Sequence, residues 1–475
     1  MVALADVTNL IGGRAAPARS GGWLEKLRPA DETVLCRVAR SASEDVDDAV
    51  AAAREAQPGW AERTAVARGD VVRELALLLL ARRDEASALV VEETGKPAEL
   101  ALGETDAAVE MGLFIAGEGR RSYGRTTTAS MANRTVLTVR QPLGVAALVM
   151  SFNTPLPNVA WKAFPAIFCG NAAVLKPSEH TPASASLFAE LALEAGVPPG
   201  VLNVVHGLGG EAGVPLVAHA DVDLVSFTGS AATGRAINEV AARRLAKTCL
   251  ELGGKNALVV CDDADLDNAV RWAVASAFSN AGQRCASASR LVIFDAVYDE
   301  FRERLAAAVR DVEPQPVISR ESLERMLASI EEARDAGATV LAGGARIERP
   351  GWYLAPTVVE GARPDAPISH VELFGPVTVL YRVTDLDEAI ALVNDSPYGL
   401  TAAVHTASVH RAMGFAERVQ AGVVVVNAGT HGSEPHMGFG GVKESGTGWR
   451  EAGIESLDVY SDPKVVNLVV DPAKA

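Results

Sequence analysis

The sequence predicts an α/β protein of two tandem units, each a mainly parallel sheet with helices on its faces. Three observations carry this. From Gly144 onward, short β-rich runs (GVAALVM, AAVLK, VLNVV, VDLVSF) alternate with stretches of helical spacing. A second alternating series opens near Asn256 and runs to AGVVVVN. The chain has 475 residues, 48% apolar and 22% charged, enough for a large core and more than one domain.

In chain order, Val46, Val50, Val71, Leu75, Leu78 and Leu79 recur at helical spacing between Ser43 and about Thr94, predicting two or more helices. The first strand-and-helix series follows Gly144. The Gly-rich loop around Glu251 to Lys255 separates it from the second, which reads NALVV as strand, Leu266 to Phe278 as helix and RLVIF as strand. A helix from about Val297, the strand VTVLYR, a helix from Leu386 and a last strand in AGVVVVN complete it. A cleft is expected at the junction, because α/β sheets bind ligands at strand carboxyl ends and between domains. The stretch Asp458 to Val470 is again β-rich, and such a segment pairs either within its own chain or with a second subunit.

Lys and Arg number 44 against 60 Asp and Glu, a formal net charge of −16 with no long basic tract. Attraction to a phosphate backbone therefore has no source, and nucleic acid is not an expected partner. Cys36, Cys169, Cys249, Cys261 and Cys285 form no CxxC pair and the eight histidines no cluster, which argues against a disulfide framework and against a metal site. Met1 to Gly22 carries Asp6 early and has no basic stretch before a long apolar run, and apolar runs elsewhere stop short of the ~20 residues that span a bilayer. A cytoplasmic protein without a membrane partner is expected.

Several residues stand out for their chemistry. The segment Gly207 to Gly213 follows an apolar strand and opens a helix; alone, it serves either a pyrophosphate or only a tight turn. Phe227, Thr228, Gly229 and Ser230 form a second such turn. Cys285 follows Arg284 in a loop of small residues, a setting expected to lower a thiol pKa, whereas the other cysteines read as inert core residues. Glu251, followed by Leu252, Gly253 and Gly254, is free to reach into a cleft or is a plain surface acid. Asn153 offers an amide to an oxyanion or to a local turn.

Taken together, FNTP, LKPSEHTP, FTGS, ELGGK, GQRC, ELFGP and GFGGVKESG, in that order over nearly the whole chain, resemble the aldehyde dehydrogenase superfamily. The resemblance implies an NAD-binding domain of residues 1–120 and 141–250 and a catalytic domain of residues 251–445. It also implies a β oligomerisation element of residues 121–140 and 446–475, with a hairpin near Ser122 to Arg140 and assembly as a homodimer or homotetramer. By the same likeness Cys285 is the nucleophile, Glu251 the general base, and Asn153 with the Cys285 N–H the oxyanion hole. The implied reaction is oxidation of an aldehyde to the acid through a thiohemiacetal and a thioester that water hydrolyses.

For the cofactor, the resemblance places Lys176 and Glu179 at the adenosine ribose, Gly229 and Ser230 at the pyrophosphate, and Glu372 and Phe374 at the nicotinamide ribose. Ser151, Phe152, Ser178, Gly209, Gly213, Phe227, Thr233 and Leu252 complete its contacts. A carboxylate at Glu179 accepts hydrogen bonds from ribose hydroxyls and repels a 2′-phosphate, favouring NAD, with NADP as the alternative. Thr154, Asn158, Trp161, Ser433 and Phe439 fall at substrate-channel positions, and several are small or polar where aliphatic-aldehyde members often carry bulky aromatics. A polar or ring-bearing aldehyde is expected, and PHMGFGG resembles dehydrogenases of benzaldehyde, vanillin or salicylaldehyde.

Two departures from the family pattern stand out. The connection from Arg310 to Val317 is shorter than usual, which bears on how firmly the nicotinamide half is held. Gly438 stands where proline commonly precedes FGG, which is expected to loosen the substrate-side loop. The rival readings are a CoA-acylating aldehyde dehydrogenase, against which Glu251 argues, and a non-catalytic member retained for binding or structure.

Overall fold

A computed structural model describes residues 4–122 and 124–474. Residues 1–3, 123 and 475, which include the start of the N-terminal stretch and one residue of the expected hairpin, lie outside the described residues.

Two seven-stranded sheets form. In the first, strands Val145–Val149, Ala172–Lys176 and Leu202–Val204 lie side by side in chain order, and Leu224–Thr228 then Lys247–Glu251 add on the opposite flank, all parallel. Asn9–Ile11 and Arg14–Ala16 close the far edge antiparallel. Val145–Val149 and Ala172–Lys176 are buried at every position, as strands covered by helices on both faces must be. Strand order reverses between Val145–Val149 and Leu224–Thr228, and the crevice at such a reversal is where an α/β sheet takes its ligand.

The second sheet runs in the order Thr339–Ala342, Thr357–Glu360, Val377–Val383, Ala288–Phe294, Asn256–Val260, Thr401–His405, Val423–Val426, parallel except for its first pair. The helix Leu266–Phe278 has the bounds its spacing predicts, and Asp265 caps it by accepting the Asn268 N–H at 3.1 Å. Between Ser43 and Thr94 there are three helices, Ser43–Ala61, Ala65–Ala81 and Arg83–Thr94, the last ended by Gly95 at φ 72°. Among the described residues no helix is long and apolar enough to cross a membrane.

A third, smaller sheet joins the hairpin Thr126–Thr128 and Arg134–Pro142 to Ser461–Val469, which pairs antiparallel from Ser461 opposite Pro142 to Val469 opposite Arg134. The terminal segment thus pairs within its own chain. Its first residues are not strand as the β-rich reading had them: Ser456–Tyr460 is a helical turn whose Leu457, Val459 and Tyr460 are buried in the core beneath the helix Pro155–Phe168. Docking of three apolar side chains overrides the local β preference.

Asn171 ties the first sheet, its helix and the C-terminal turn together. Its Oδ1 accepts from the N–H groups of Leu143 and Gly144 at 2.7 and 3.0 Å, and its Nδ2 donates to the carbonyls of Ala166 and Tyr460 at 3.1 and 2.8 Å. The residue is fully buried, so Asn171→Ala leaves the Leu143 and Gly144 N–H groups and the Tyr460 carbonyl without this partner, while the Ala166 carbonyl keeps the backbone N–H of residue 171. A loss of at least about 2 kcal/mol is expected, read as a lower Tm or urea midpoint.

Candidate active site

A cavity of about 1460 Å³ opens where the two sheets meet, and every residue assigned above to catalysis, cofactor or substrate lines it. Ser151 to Asn153 follow the strand Val145–Val149, Lys176 ends the next strand, Gly229 and Ser230 follow Leu224–Thr228, and Glu251 ends Lys247–Glu251. Cys285 and Glu372 come from the second unit.

The position of Cys285 is set by strained backbone. After the helix Leu266–Phe278, Asn280, Ala281 and Gly282 take left-handed conformations at φ 56°, 52° and 65°, which costs a non-glycine residue on the order of 1–3 kcal/mol. Asn280 repays part of this by donating its Nδ2 to the carbonyls of Asn153 and Gln283 at 3.0 and 3.3 Å. Gly282 is required here, since a Cβ would sit 2.2 Å from the Gly375 carbonyl oxygen. Gln283 accepts the Ile318 N–H at 2.9 Å and reaches the Pro316 carbonyl at 3.4 Å, so the short connection after Arg310 packs directly on the loop that carries Cys285. The Asn256 amide donates to the Cys285 carbonyl at 2.7 Å.

Asn153 is equally fixed. Its carbonyl accepts from Lys96 Nζ at 2.8 Å, and Lys96 is held by Glu104 at 2.6 Å in a buried ion pair. Its Oδ1 accepts from Asn158 Nδ2 at 3.2 Å, which leaves the Asn153 Nδ2 free to donate into the cavity. Asn158 thus orients Asn153 as well as lining the substrate half. Phe439, paired with Trp161 at a ring distance of 5.4 Å, exchanges two backbone hydrogen bonds with Glu451 at 2.7 and 2.8 Å. That pairing staples the loop which Gly438 was expected to loosen.

Acidic groups crowd the centre. Glu251 is buried, its Oε2 has no hydrogen-bond partner, and burial with the nearby Glu451 pushes its carboxyl well above the usual range. Glu451 is itself bound to Lys162 at 2.6 Å and to Ser226 Oγ at 2.6 Å in the core. Glu372 accepts the Gly254 N–H at 3.0 Å, yet burial still raises it to about 7. Burial, then Glu372 and Glu251, push the Cys285 thiol up to about 12, which corrects the expectation from Arg284: the neighbouring cation acts in the lowering direction and is outweighed.

The first sheet's half of the cavity suits a dinucleotide. Ser230 caps the helix Ala231–Ala242 by accepting the Thr233 N–H at 3.2 Å, and that helix presents its N-terminal N–H groups to the cavity, a site for a pyrophosphate. At Gly229 a Cβ would lie 2.3 Å from the Phe227 ring, so only glycine lets the turn close. Lys176 is buried, its Nζ donating to the Pro177 carbonyl at 2.8 Å, with the half-exposed Glu179 carboxylate 3.9 Å away. Phe374, at φ 55°, stacks edge-on with Phe152 at 5.6 Å. Among the described residues no group of His, Cys, Asp and Glu could hold a metal ion.

Lys96, Glu104, Asn280, Lys162, Glu451 and His431 belong to this site and escape the sequence reading; Lys96, Asn280, Lys162 and Glu451 do so because they bind groups far off in the chain. Only the helical spacing that buries Glu104 beside Ala101, Thr105 and Ala108 hints at one of them.

The aldehyde dehydrogenase family model matches residues 17–466. The chain is 40% identical over 471 residues to a mitochondrial aldehyde dehydrogenase of Leishmania tarentolae, spanning 97% of this chain and 94% of that one. It is 38% identical over 479 residues to the mitochondrial benzaldehyde dehydrogenase of Antirrhinum majus, spanning 98% and 89%. Betaine aldehyde dehydrogenase of Staphylococcus aureus, solved in complex with NAD+, matches with a TM-score of 0.96 at 32% identity over 98% of this chain and 95% of that one. The chain belongs to the aldehyde dehydrogenase family and is an oxidoreductase acting on aldehydes with a nicotinamide dinucleotide.

The raised thiol gives a direct test. With the dinucleotide absent, Cys285 alkylates with iodoacetamide at pH 8 more slowly than a free thiol, and the rate is still climbing at pH 10. In Glu372→Gln a negative neighbour is gone, the thiol pKa falls, and the rate at pH 8 rises several-fold.

Proposed function

We propose that the chain oxidises a polar or aromatic aldehyde to its carboxylic acid with NAD, through a thioester on Cys285 that water hydrolyses. The observation that carries this is the convergence of Cys285, the free amide of Asn153 and the unpartnered carboxyl of Glu251 on one cavity beside a dinucleotide-sized groove.

The Cys285 thiol gives up its proton to solvent in the cavity as its sulfur attacks the carbonyl carbon, and the oxygen takes hydrogen bonds from Asn153 Nδ2 and the Cys285 N–H. Lys96, Asn158 and Asn280 hold Asn153 still, so these donors need no reorganisation as charge develops. When bound, the dinucleotide supplies a ring that accepts the hydride. Glu251 then removes a proton from the water that attacks the thioester, and its raised pKa makes it a strong enough base to do so. Because the carboxylate form is the active one, hydrolysis quickens as pH rises through that raised pKa. Glu451 and Lys162 behind it set the local field.

Glu179 supports NAD over NADP, since its carboxylate accepts from ribose hydroxyls and repels a 2′-phosphate. The polar Thr154, Asn158 and Ser433 beside Trp161 and Phe439 support a polar or ring-bearing substrate. Assembly as a homodimer or homotetramer fits the three-stranded sheet, whose terminal strand exposes Val465, Leu468 and Val469. Five free cysteines fit a reducing, cytoplasmic setting.

Reduced nicotinamide forms when the protein, NAD and an aldehyde panel are mixed, and Cys285→Ala lowers the rate by at least about 10³-fold. Glu251→Gln gives a burst of about one equivalent and then nearly stops, because acylation survives and hydrolysis does not. Asn153→Ala lowers kcat by about 10²-fold or more. Added CoA leaves free acid as the product; acyl-CoA in its place overturns the water step. Glu179→Gln narrows the ratio of kcat/KM for NAD over NADP, and an unchanged ratio removes Glu179 from cofactor choice.

A further inference from the structure

Three buried polar atoms in the wall of the substrate half have no hydrogen-bond partner among the described residues: Arg284 Nε, His431 Nδ1 and Ser433 Oγ. All three residues line the cavity that holds Cys285. They are brought together by Thr430, whose Oγ1 donates to the Ala286 carbonyl at 2.6 Å and whose N–H donates to Ser276 Oγ at 3.2 Å. The loop bearing His431 and Ser433 is thereby clamped to the segment bearing Arg284. The Arg284 charge bears on Lys96, Cys285 and His431 alike, which places the guanidinium among them, and His431 stays neutral at about 4.

Three other cations near this half are matched. Lys96 pairs with Glu104 and Lys162 with Glu451, each at 2.6 Å, and Arg83 pairs with Asp106. Arg284 makes neither an ion pair nor a side-chain hydrogen bond among the described residues, and the exposed Glu99 sits apart at the rim. A buried Nε without a partner is costly, and the planar guanidinium fork fits a carboxylate better than any other common group. A neutral imidazole and a hydroxyl beside it add further donors of the right kind.

We infer that Arg284, His431 and Ser433 form a subsite for a carboxylate on the substrate, so that the preferred aldehyde is an oxo acid. This rests on the oxidation proposed above and names the substrate class of that same site. A carboxylate there satisfies all three atoms at once, whereas a neutral aldehyde of equal size leaves the guanidinium unpaired.

The test compares matched pairs: 4-formylbenzoate against its methyl ester, and a short ω-oxo acid against the alkanal of the same length. The acid member has a kcat/KM at least tenfold higher, mostly through KM, and Arg284→Gln cuts that ratio at least tenfold, with Ser433→Ala cutting it less. Because both substrates meet the same preparation, the ratio cancels any loss of folded enzyme. A ratio at or below one in the native chain, or a ratio that Arg284→Gln and Arg284→Met leave unmoved, overturns the subsite while leaving oxidation intact. A second readout needs no turnover: in Cys285→Ala, calorimetry finds terephthalate bound at least tenfold more tightly than its dimethyl ester, and adding Arg284→Gln removes the difference. Failure of all turnover with that binding preserved overturns the oxidation and upholds the subsite, and equal binding of diacid and diester overturns the subsite.

Discussion

The link Leu252–Lys255 holds one sheet to the other, and the site exists because that link is short. It leaves the strand Lys247–Glu251 at the edge of the first sheet and enters the strand Asn256–Val260 inside the second. It is fastened from both sides. The Leu252 N–H donates to the Ser445 carbonyl at 2.9 Å and the Gly254 N–H to Glu372 at 3.0 Å, while Arg290 Nε donates to the Lys255 carbonyl at 2.8 Å and Lys255 Nζ to the Val371 carbonyl at 2.9 Å. With so little slack, the carboxylate that ends one sheet, the cysteine that precedes a strand of the other, and the dinucleotide groove cannot separate. Positioning of this kind supplies much of what an enzyme contributes to a reaction between groups already chemically competent.

What the link brings together is electrostatically reluctant. Glu251, Glu372 and Cys285 are three acids in a poorly solvated space, and burial pushes each toward its neutral form, helped by Glu451 at Glu251 and by Glu372 and Glu251 at Cys285. The chain meets this by building neutrality nearby: Lys162 answers Glu451 and Lys96 answers Glu104, both inside the core. Breaking such a buried pair by removing one partner costs about 3–5 kcal/mol, so these lysines serve stability and the site together. In the roles proposed for them, Cys285 is a nucleophile and Glu251 a base both held in reserve, with the oxyanion donors preset.

Much of this was legible in the sequence. The alternation of β-rich runs with helical spacing gave two tandem sheets, because buried parallel strands read as unbroken apolar runs. Short motifs singled out Cys285, Glu251 and Asn153, and the structure brings all three to one cavity. Local pattern failed where distant chain intervenes. Arg284 read as a cation that lowers a neighbouring thiol, and the contrary effect comes from burial and from Glu372, 87 positions beyond Cys285. Lys96 and Lys162 carried no signal in the sequence, because the Asn153 and Glu451 they bind lie 57 and 289 positions away. Residues 458–460 read as strand because β preference was weighed without the core on which they dock.

The central claim is that a covalent acyl group passes through Cys285 at the junction of the two sheets. Acid quenching of the native enzyme during turnover, followed by digestion and mass spectrometry, tests it most directly. The mass of the acyl group is expected on the peptide containing Cys285 and on none of those containing Cys36, Cys169, Cys249 or Cys261. Acylation on another residue, or steady turnover with no acylated peptide when hydrolysis is slowed at low pH, would contradict it.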